Sequence, residues 1–490
     1  MAVNGLSNLE TRHFINNEFV ESSAKETITI RSPYDDSIVG TIPVADEHVV
    51  DAAVSAARKA YETGPWCTFT SAQRAKCMLK LADLIEQKTD ELAKLEAASM
   101  GQPVAVAKGA IIPTCVASIR YYAGYADKIA GESYKEEDGF YKIVQYEPIG
   151  VCAGIAAWNA TLVFVAWKIA PALAAGNTFV FKASEKSPFG PLVVAPFFKE
   201  AGFPPGVVNF ISGGGSTGAL LAAHMDIDKI SFTGSGMTGR KIQDAAIKSN
   251  MKKVTLELGG KSPSIIFADA ELENALKNNA EGLLLNSGQL CAAATRVFVH
   301  SSIAPTFIEG LKARFEAASS TMGDDPAVPT TALGPLADKK QLDRVTSYLE
   351  SGKTESGAEL VTGGGQIGEK GCFVQPTIFL NPKSDAKILR EEIFGPVLTI
   401  RSFETEDEAV ELANDTSYGL SAAIYTASMS RALRVATKLK VGTLAINASY
   451  FPDAQTPFGG YKQSGTGRES GKAGLEAYLQ AKTIKINMGV

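Results

Sequence analysis

Histidine is scarce, at 4 in 490 residues, and the 6 cysteines contain no C-x-x-C pair. No H-x-x-x-H spacing or mixed Cys/His cluster is present either, so a metal centre has no ligand set to start from. Charge of one sign is also missing. The 48 Lys and Arg against 53 Asp and Glu leave a net of only −5, which excludes a polybasic nucleic-acid binder and an acidic disordered chain. The opening residues MAVNGLSNLETRHF lack the positive-then-apolar order of a signal peptide, and they are not an Arg-rich transit sequence. The closing NMGV matches no retrieval or lipidation signal. A reduced, cytoplasmic setting is the expectation. A long apolar run is nearly present, since 149–167 carries no charge. Gly150, Gly154, Asn159 and Thr161 interrupt it, and Lys168 and Pro171 follow. A buried strand and then a buried helix from about 162 fit better than a membrane span.

What is abundant is apolar material (45 %) and glycine (45 residues), enough for about three structural units with many tight turns. The first 45 residues hold short β-like runs, and helical spacing of apolar residues then marks 46–62, 71–87 and about 108–129. A charged interruption, ESYKEEDG, precedes an alternating strand at 141–146. From 150 the chain alternates strand and helix, with strands near 151–156, 178–181, 207–211, 230–233 and 254–258. The pattern restarts at 264–267 and 297–300 and runs to about 460. Continuous apolar strands between helices give an α/β fold with parallel sheets covered on both faces. The terminal KTIKIN alternates as a strand suited to pairing with another subunit.

Strand 230–233 runs into Gly234-Ser235-Gly236-Met237-Thr238-Gly239, a G-x-G-x-x-G turn before a helix. Glycines let the backbone close on a pyrophosphate, and the helix N-terminus supplies N–H donors. Read alone, the motif would give Glu257 a ribose hydroxyl to bind, although at least three βα units precede it where the usual fingerprint opens the first. A ligand-free turn explains the glycines equally well.

Five cysteines (Cys67, Cys77, Cys115, Cys152 and Cys372) lie on helical or strand patterns and read as small core residues. Cys291 differs, lying in the polar loop Asn286-Ser287-Gly288-Gln289-Leu290-Cys291 between a helix and a strand, where a thiolate could act. None of His13, His48, His224 and His300 lies next to it in sequence, so a Cys–His pairing has little support. Glu257, at a strand end beside Gly259-Gly260, is the remaining base.

Leu256-Glu257-Leu258-Gly259-Gly260-Lys261-Ser262-Pro263, followed by Gly288-Gln289-Leu290-Cys291, closely resembles the aldehyde dehydrogenase superfamily. Trp158-Asn159, Phe181-Lys182-Ala183-Ser184-Glu185, Glu391-Glu392-Ile393-Phe394-Gly395-Pro396 and Pro457-Phe458-Gly459-Gly460-Tyr461-Lys462-Gln463-Ser464-Gly465 agree in the same order, over nearly the whole chain. The resemblance implies a Rossmann-like cofactor domain (1–127 and 149–259) and a second α/β catalytic domain (260–463). It adds a small β oligomerisation arm (128–148 with 476–490) and a homodimer or homotetramer.

It further implies that Cys291 attacks an aldehyde, that the Asn159 amide and the Cys291 N–H hold the oxyanion, that Lys168 supports the site electrostatically and that Glu257 activates water. Trp158, Lys182, Ser184, Glu185, Gly234, Ser235, Gly239, Leu258, Glu392 and Phe394 would then contact the cofactor. A carboxylate at Glu185 favours NAD over NADP, because it accepts from ribose hydroxyls and repels a 2′-phosphate. Glu257 favours release of a free acid over transfer to coenzyme A. A CoA-acylating semialdehyde dehydrogenase, a thiol esterase and a non-catalytic relative are the other readings. Ala160, Leu285 and Pro452 stand where related enzymes carry bulkier or aromatic residues, while Phe164, Trp167, Leu290, Tyr450 and Phe451 would still wall a substrate tunnel. The expected substrate is an apolar, branched, aromatic or longer-chain aldehyde.

Overall fold

The computed structural model describes residues 9–22 and 25–489. Its first sheet has eight strands. Five of them are parallel, in the order Lys253–Glu257, Lys229–Thr233, Val151–Ile155, Thr178–Lys182 and Val208–Ile211. Antiparallel strands extend both edges, with Gly465–Thr466 on one side and His13–Ile15 and Glu18–Val20 on the other. Four of the five parallel strands are buried along their whole length, which is why they read as unbroken apolar runs. Val151, Ala153 and Ile155 pack on one face with the helix Glu47–Glu62, and Cys152 turns to the other. That helix starts where the sequence indicated, because the Asp46 carboxylate accepts from the Val49 N–H.

The strand Val151–Ile155 comes first along the chain among the five yet lies in the middle, so the chain leaves it to one side and later returns on the other. Ligands of open α/β sheets bind outside the carboxyl ends at such a reversal. Register places Ile155, Lys182, Thr233 and Glu257 together at those ends.

A second sheet of seven strands runs Glu359–Thr362, Thr377–Leu380, Val397–Phe403, Ala294–His300, Ser262–Ile266, Ser421–Tyr425 and Thr443–Ile446, all parallel except the first. A third, antiparallel sheet joins Glu132–Tyr134, Phe140–Pro148 and Leu479–Asn487. The architecture is α/β, with a Rossmann-like domain, a catalytic domain and a small β arm. The terminal strand pairs within the chain, and among the described residues no strand pairs with its outer edge.

The uncharged run resolves into the strand Val151–Ile155 and the helix Thr161–Ala175, every residue of which is buried. Among the described residues one helix, Val104–Ala123, is long and apolar enough to cross a membrane. Several sequence expectations need correction. The charged interruption contains the exposed strand Glu132–Tyr134, ordered by the hairpin it forms. The helix expected at 108–129 begins at Val104, passes through a π turn at Ala107–Ile111 and ends at Ala123. The helix Thr89–Met100 was hidden because Lys88 alone separates it from Ser71–Gln87. Cys67 is exposed in a short 3₁₀ turn, and Cys372 is buried but lies outside any helix or strand.

Candidate active site

Cys291 stands between the turn Leu285–Gly288 and the strand Ala294–His300. Asn286, Ser287 and Gly288 all take left-handed backbone, with φ of 53°, 54° and 73°. Such a run is costly for non-glycine residues, so its surroundings must impose it. Buried hydrogen bonds do so. Ser287 Oγ donates to the Gly334 carbonyl at 2.6 Å, the Ala337 N–H donates to Gln289 Oε1 at 2.9 Å, and Asn286 Nδ2 donates to the Asn159 carbonyl at 3.1 Å. A β-carbon on Gly288 would run into the Gly395 carbonyl, so the chain passes there only as glycine.

Asn159 is buried just ahead of the helix Thr161–Ala175. Ala160 is the N-cap of that helix and no side chain caps it, so the Asn159 amide is not engaged in capping. Its Nδ2 donates instead to the Gln289 carbonyl at 3.0 Å, which ties it to the cysteine loop and leaves its second N–H for another acceptor.

Two cavities meet at this point. One is mostly apolar and is lined by Ala160, Phe164, Trp167, Leu285, Leu290, Tyr450 and Phe451, the seven residues expected to form a tunnel. Pro452, Phe458, Asn278, Asn279 and Ser449 add to its wall. The other lies at the carboxyl ends of the first sheet and is lined by Trp158, Thr233, Gly234, Ser235, Glu257, Leu258, Glu392 and Phe394. Asn159, Phe164 and Cys291 line both, so the cysteine stands where the two cavities meet. Burial, together with the negative charges of Glu392 and Glu257, holds the thiol above its ordinary range. The backbone N–H groups of Ala292 and Cys291 oppose that shift.

Glu257 is 2 % exposed and neither of its oxygens has a hydrogen-bond partner among the described residues. Burial and the nearby Glu469 carboxylate push its acid well above the ordinary carboxylate range, against the pull of Lys168 and Arg468. Its Oε1 sits where a β-carbon on Gly459 would be only 2.6 Å away, so glycine makes its room. Lys168 lines neither cavity. Its ammonium lies behind them, paired with Glu469 at 2.6 Å and donating to Ser231 Oγ at 3.0 Å. Glu469 escaped the sequence reading because it lies 301 positions from Lys168, in a segment with no motif of its own.

The Gly234–Gly239 turn does open a helix, Gly236–Lys248, with Ser235 as its N-cap accepting from the Thr238 N–H. A β-carbon on Gly239 would lie 2.7 Å from Leu258, so glycine lets the helix approach the next strand closely. Above Gly236 the space is open, and the hydroxyl of Thr233 has no partner among the described residues. Free helix N–H groups, open space and orphaned polar atoms at the reversal point fit a dinucleotide. Glu392 accepts from the Gly260 N–H at 3.0 Å, and Phe394 meets Trp158 edge-on at 5.3 Å between ring centroids. Lys182, Ser184, Glu185 and Gly239 stand outside the lining of both cavities. The Lys182 ammonium donates to the Ala183 and Gly213 carbonyls at 2.7 Å each, and burial pulls its pKa down to about 8, opposed by Glu185. Glu185 is half-buried beside it. No histidine lines either cavity, and among the described residues no cluster of His, Cys, Asp and Glu could hold a metal ion.

Residues 19–484 match the model of the aldehyde dehydrogenase family. An aldehyde dehydrogenase of Davidiella tassiana is 46 % identical over 477 residues, covering 97 % of this chain and 95 % of that one. The NAD+ complex of an aldehyde dehydrogenase from Bacillus cereus superposes with a TM-score of 0.95 at 44 % identity, covering 98 % of this chain and 97 % of that chain. The AldA indole-3-acetaldehyde dehydrogenase of P. syringae, solved with NAD+ and IAA, also gives 0.95, at 38 % identity over 98 % of this chain and 97 % of that one. The chain belongs to the aldehyde dehydrogenase family.

Proposed function

We propose that this chain oxidises an apolar, branched, aromatic or longer-chain aldehyde, with Cys291 as the nucleophile. The coarser activity is the family's own. The chain is an NAD-dependent aldehyde dehydrogenase that converts an aldehyde to a carboxylic acid through a catalytic cysteine. The observation that carries the residue roles is a single cysteine lining both an apolar cavity and the crevice at the carboxyl ends of the first sheet.

In this reading the Cys291 thiol gives its proton to solvent, and its sulfur adds to the aldehyde carbon and forms a thiohemiacetal oxyanion. The free N–H of Asn159 and the backbone N–H of Cys291 donate to that oxygen, each such donor being worth roughly 10²–10³ in rate. NAD, when bound, supplies the hydride acceptor that leaves Cys291 as a thioester. Glu257 then takes a proton from water, whose oxygen attacks the thioester, releasing the acid and the Cys291 thiol. The Lys168–Glu469 pair sits behind Glu257 and tunes its charge. Trp158, Glu392 and Phe394 would hold the nicotinamide end. Gly234, Ser235, Gly239 and Leu258 would shape the diphosphate path, while Lys182, Ser184 and Glu185 would face the adenosine ribose.

Apolar walls and the absence of any Lys or Arg from the tunnel lining support a neutral substrate with bulk. An NADH-forming screen over aliphatic, aromatic, amino- and semialdehydes tests this. Higher kcat/KM for aromatic or longer-chain aldehydes than for acetaldehyde is expected, with no acceleration by coenzyme A. A preference for acetaldehyde or a charged semialdehyde would overturn the substrate class. To the same proposal belong the division into 1–127 with 149–259, 260–463 and 128–148 with 476–490, assembly as a dimer or dimer of dimers, and a cytoplasmic setting. Tyr134, Phe140, Tyr146, Ile486 and Met488 stand exposed on and beside the β arm and support assembly.

A further inference from the structure

We propose that Gln102 is a positioning residue that sets the Asn159 amide against the Cys291 loop; this rests on the roles given above to Asn159 and Cys291. Gln102 is wholly buried in the connection between the helices Thr89–Met100 and Val104–Val106. Its Nε2 donates to the Asn159 carbonyl at 3.3 Å and to Asn286 Oδ1 at 3.4 Å. Asn286 Nδ2 donates to the same Asn159 carbonyl at 3.1 Å, and Asn159 Nδ2 donates to the Gln289 carbonyl at 3.0 Å. A closed set of hydrogen bonds therefore links the oxyanion donor to the nucleophile's loop. Of its four members, Gln102 alone comes from neither of the two segments it joins.

Asn159 needs such a brace because its own backbone gives little. It lies past the end of the strand Val151–Ile155 and before an N-cap, Ala160, that has no capping side chain. The loop it must face is the left-handed run Asn286–Gly288, itself dependent on side-chain bonds. The brace is rigidly seated. Gly101, immediately before Gln102, has φ of 75°, and a β-carbon there would lie 2.9 Å from Pro335 Cδ. The neighbouring Gly334 carbonyl accepts from Ser287. Gln102 thus couples a third part of the chain to the spacing between the Asn159 N–H and the Cys291 sulfur. Its Oε1 has no partner among the described residues, so only the donating half of its amide is engaged. A side chain of the same shape without N–H donors would leave the packing and remove the brace.

The test is a pre-steady-state NADH burst on the full-length enzyme, with the rate constant expressed per titrated active site. Gln102→Leu and Gln102→Met both lose the donors, the second with nearly unchanged length. Either is expected to slow the burst per site roughly 10–100-fold, as misplacement of a reacting group by about an ångström does, and to lower kcat far more than it changes KM. A role in stability alone would lower the melting temperature and the burst amplitude while leaving the per-site rate at wild type, and that result in the variants that fold overturns the proposal. Asn159→Ala, run alongside, separates the two levels. If Asn159→Ala leaves the burst rate unchanged, the reading of Asn159 falls and the proposal with it. If Asn159→Ala slows the burst and neither Gln102 variant does, the proposal alone falls.

Discussion

A carboxylic acid buried without a hydrogen-bond partner among the described residues, as Glu257 is, carries a large desolvation penalty on its ionised form. A general base must be ionised, so raising its pKa moves the active fraction to higher pH. Thioester hydrolysis is therefore expected to fall as pH drops from a point well above the ordinary glutamate range. Glu257→Gln should abolish that limb and slow steady turnover by about 10²–10⁴, with the NADH burst surviving. Stopped-flow burst and steady-state rates over a pH series check this, and a wild-type turnover in Glu257→Gln would return Glu257 to ribose binding. Individual residues were legible in the sequence where a motif carried them. Cys291, Asn159 and the seven residues expected in a tunnel line one cavity. Glu469 and Gln102 were not legible, because each acts through partners far along the chain and a lone Glu or Gln has no spacing signature.

At the scale of elements, hydrophobic periodicity located the five parallel strands of the first sheet within about one residue, since burial on both faces leaves a continuous apolar run in four of them. The helices Glu47–Glu62 and Ser71–Gln87 were equally plain through their apolar faces, and the structure adds the Asp46 and Thr70 caps. The geometry of the cysteine turn was hidden. Its neighbours in sequence give no sign of it, but the backbone of Gly395 and Pro396 makes glycine obligatory at Gly288. Gly288→Ala adds left-handed strain of about 1–2 kcal/mol to a clash with backbone that cannot rotate away. A lower melting temperature and a burst amplitude reduced in proportion to misplaced thiol are expected. Thermal unfolding and burst titration on one preparation check both, and wild-type values of each would show that the turn adapts.

For the whole molecule, the site exists only where distant parts of the chain converge. The first sheet supplies Glu257 and the crevice, the segment before Thr161–Ala175 supplies Asn159, and the turn ahead of the second sheet supplies Cys291. The stretch 450–458 closes the tunnel. The strand–helix alternation foretold two α/β regions, but not that two cavities would meet at one cysteine, which depends on long-range packing. The central claim is that the sulfur of Cys291 carries the acyl group between oxidation and hydrolysis. Mass spectrometry of quenched Glu257→Gln enzyme after mixing with NAD and a turned-over aldehyde tests it most directly. One acyl group per subunit, on the peptide bearing Cys291 and matched by one NADH, is the expected result; NADH formed with Cys291 unmodified, or an acyl group on another cysteine, would contradict it.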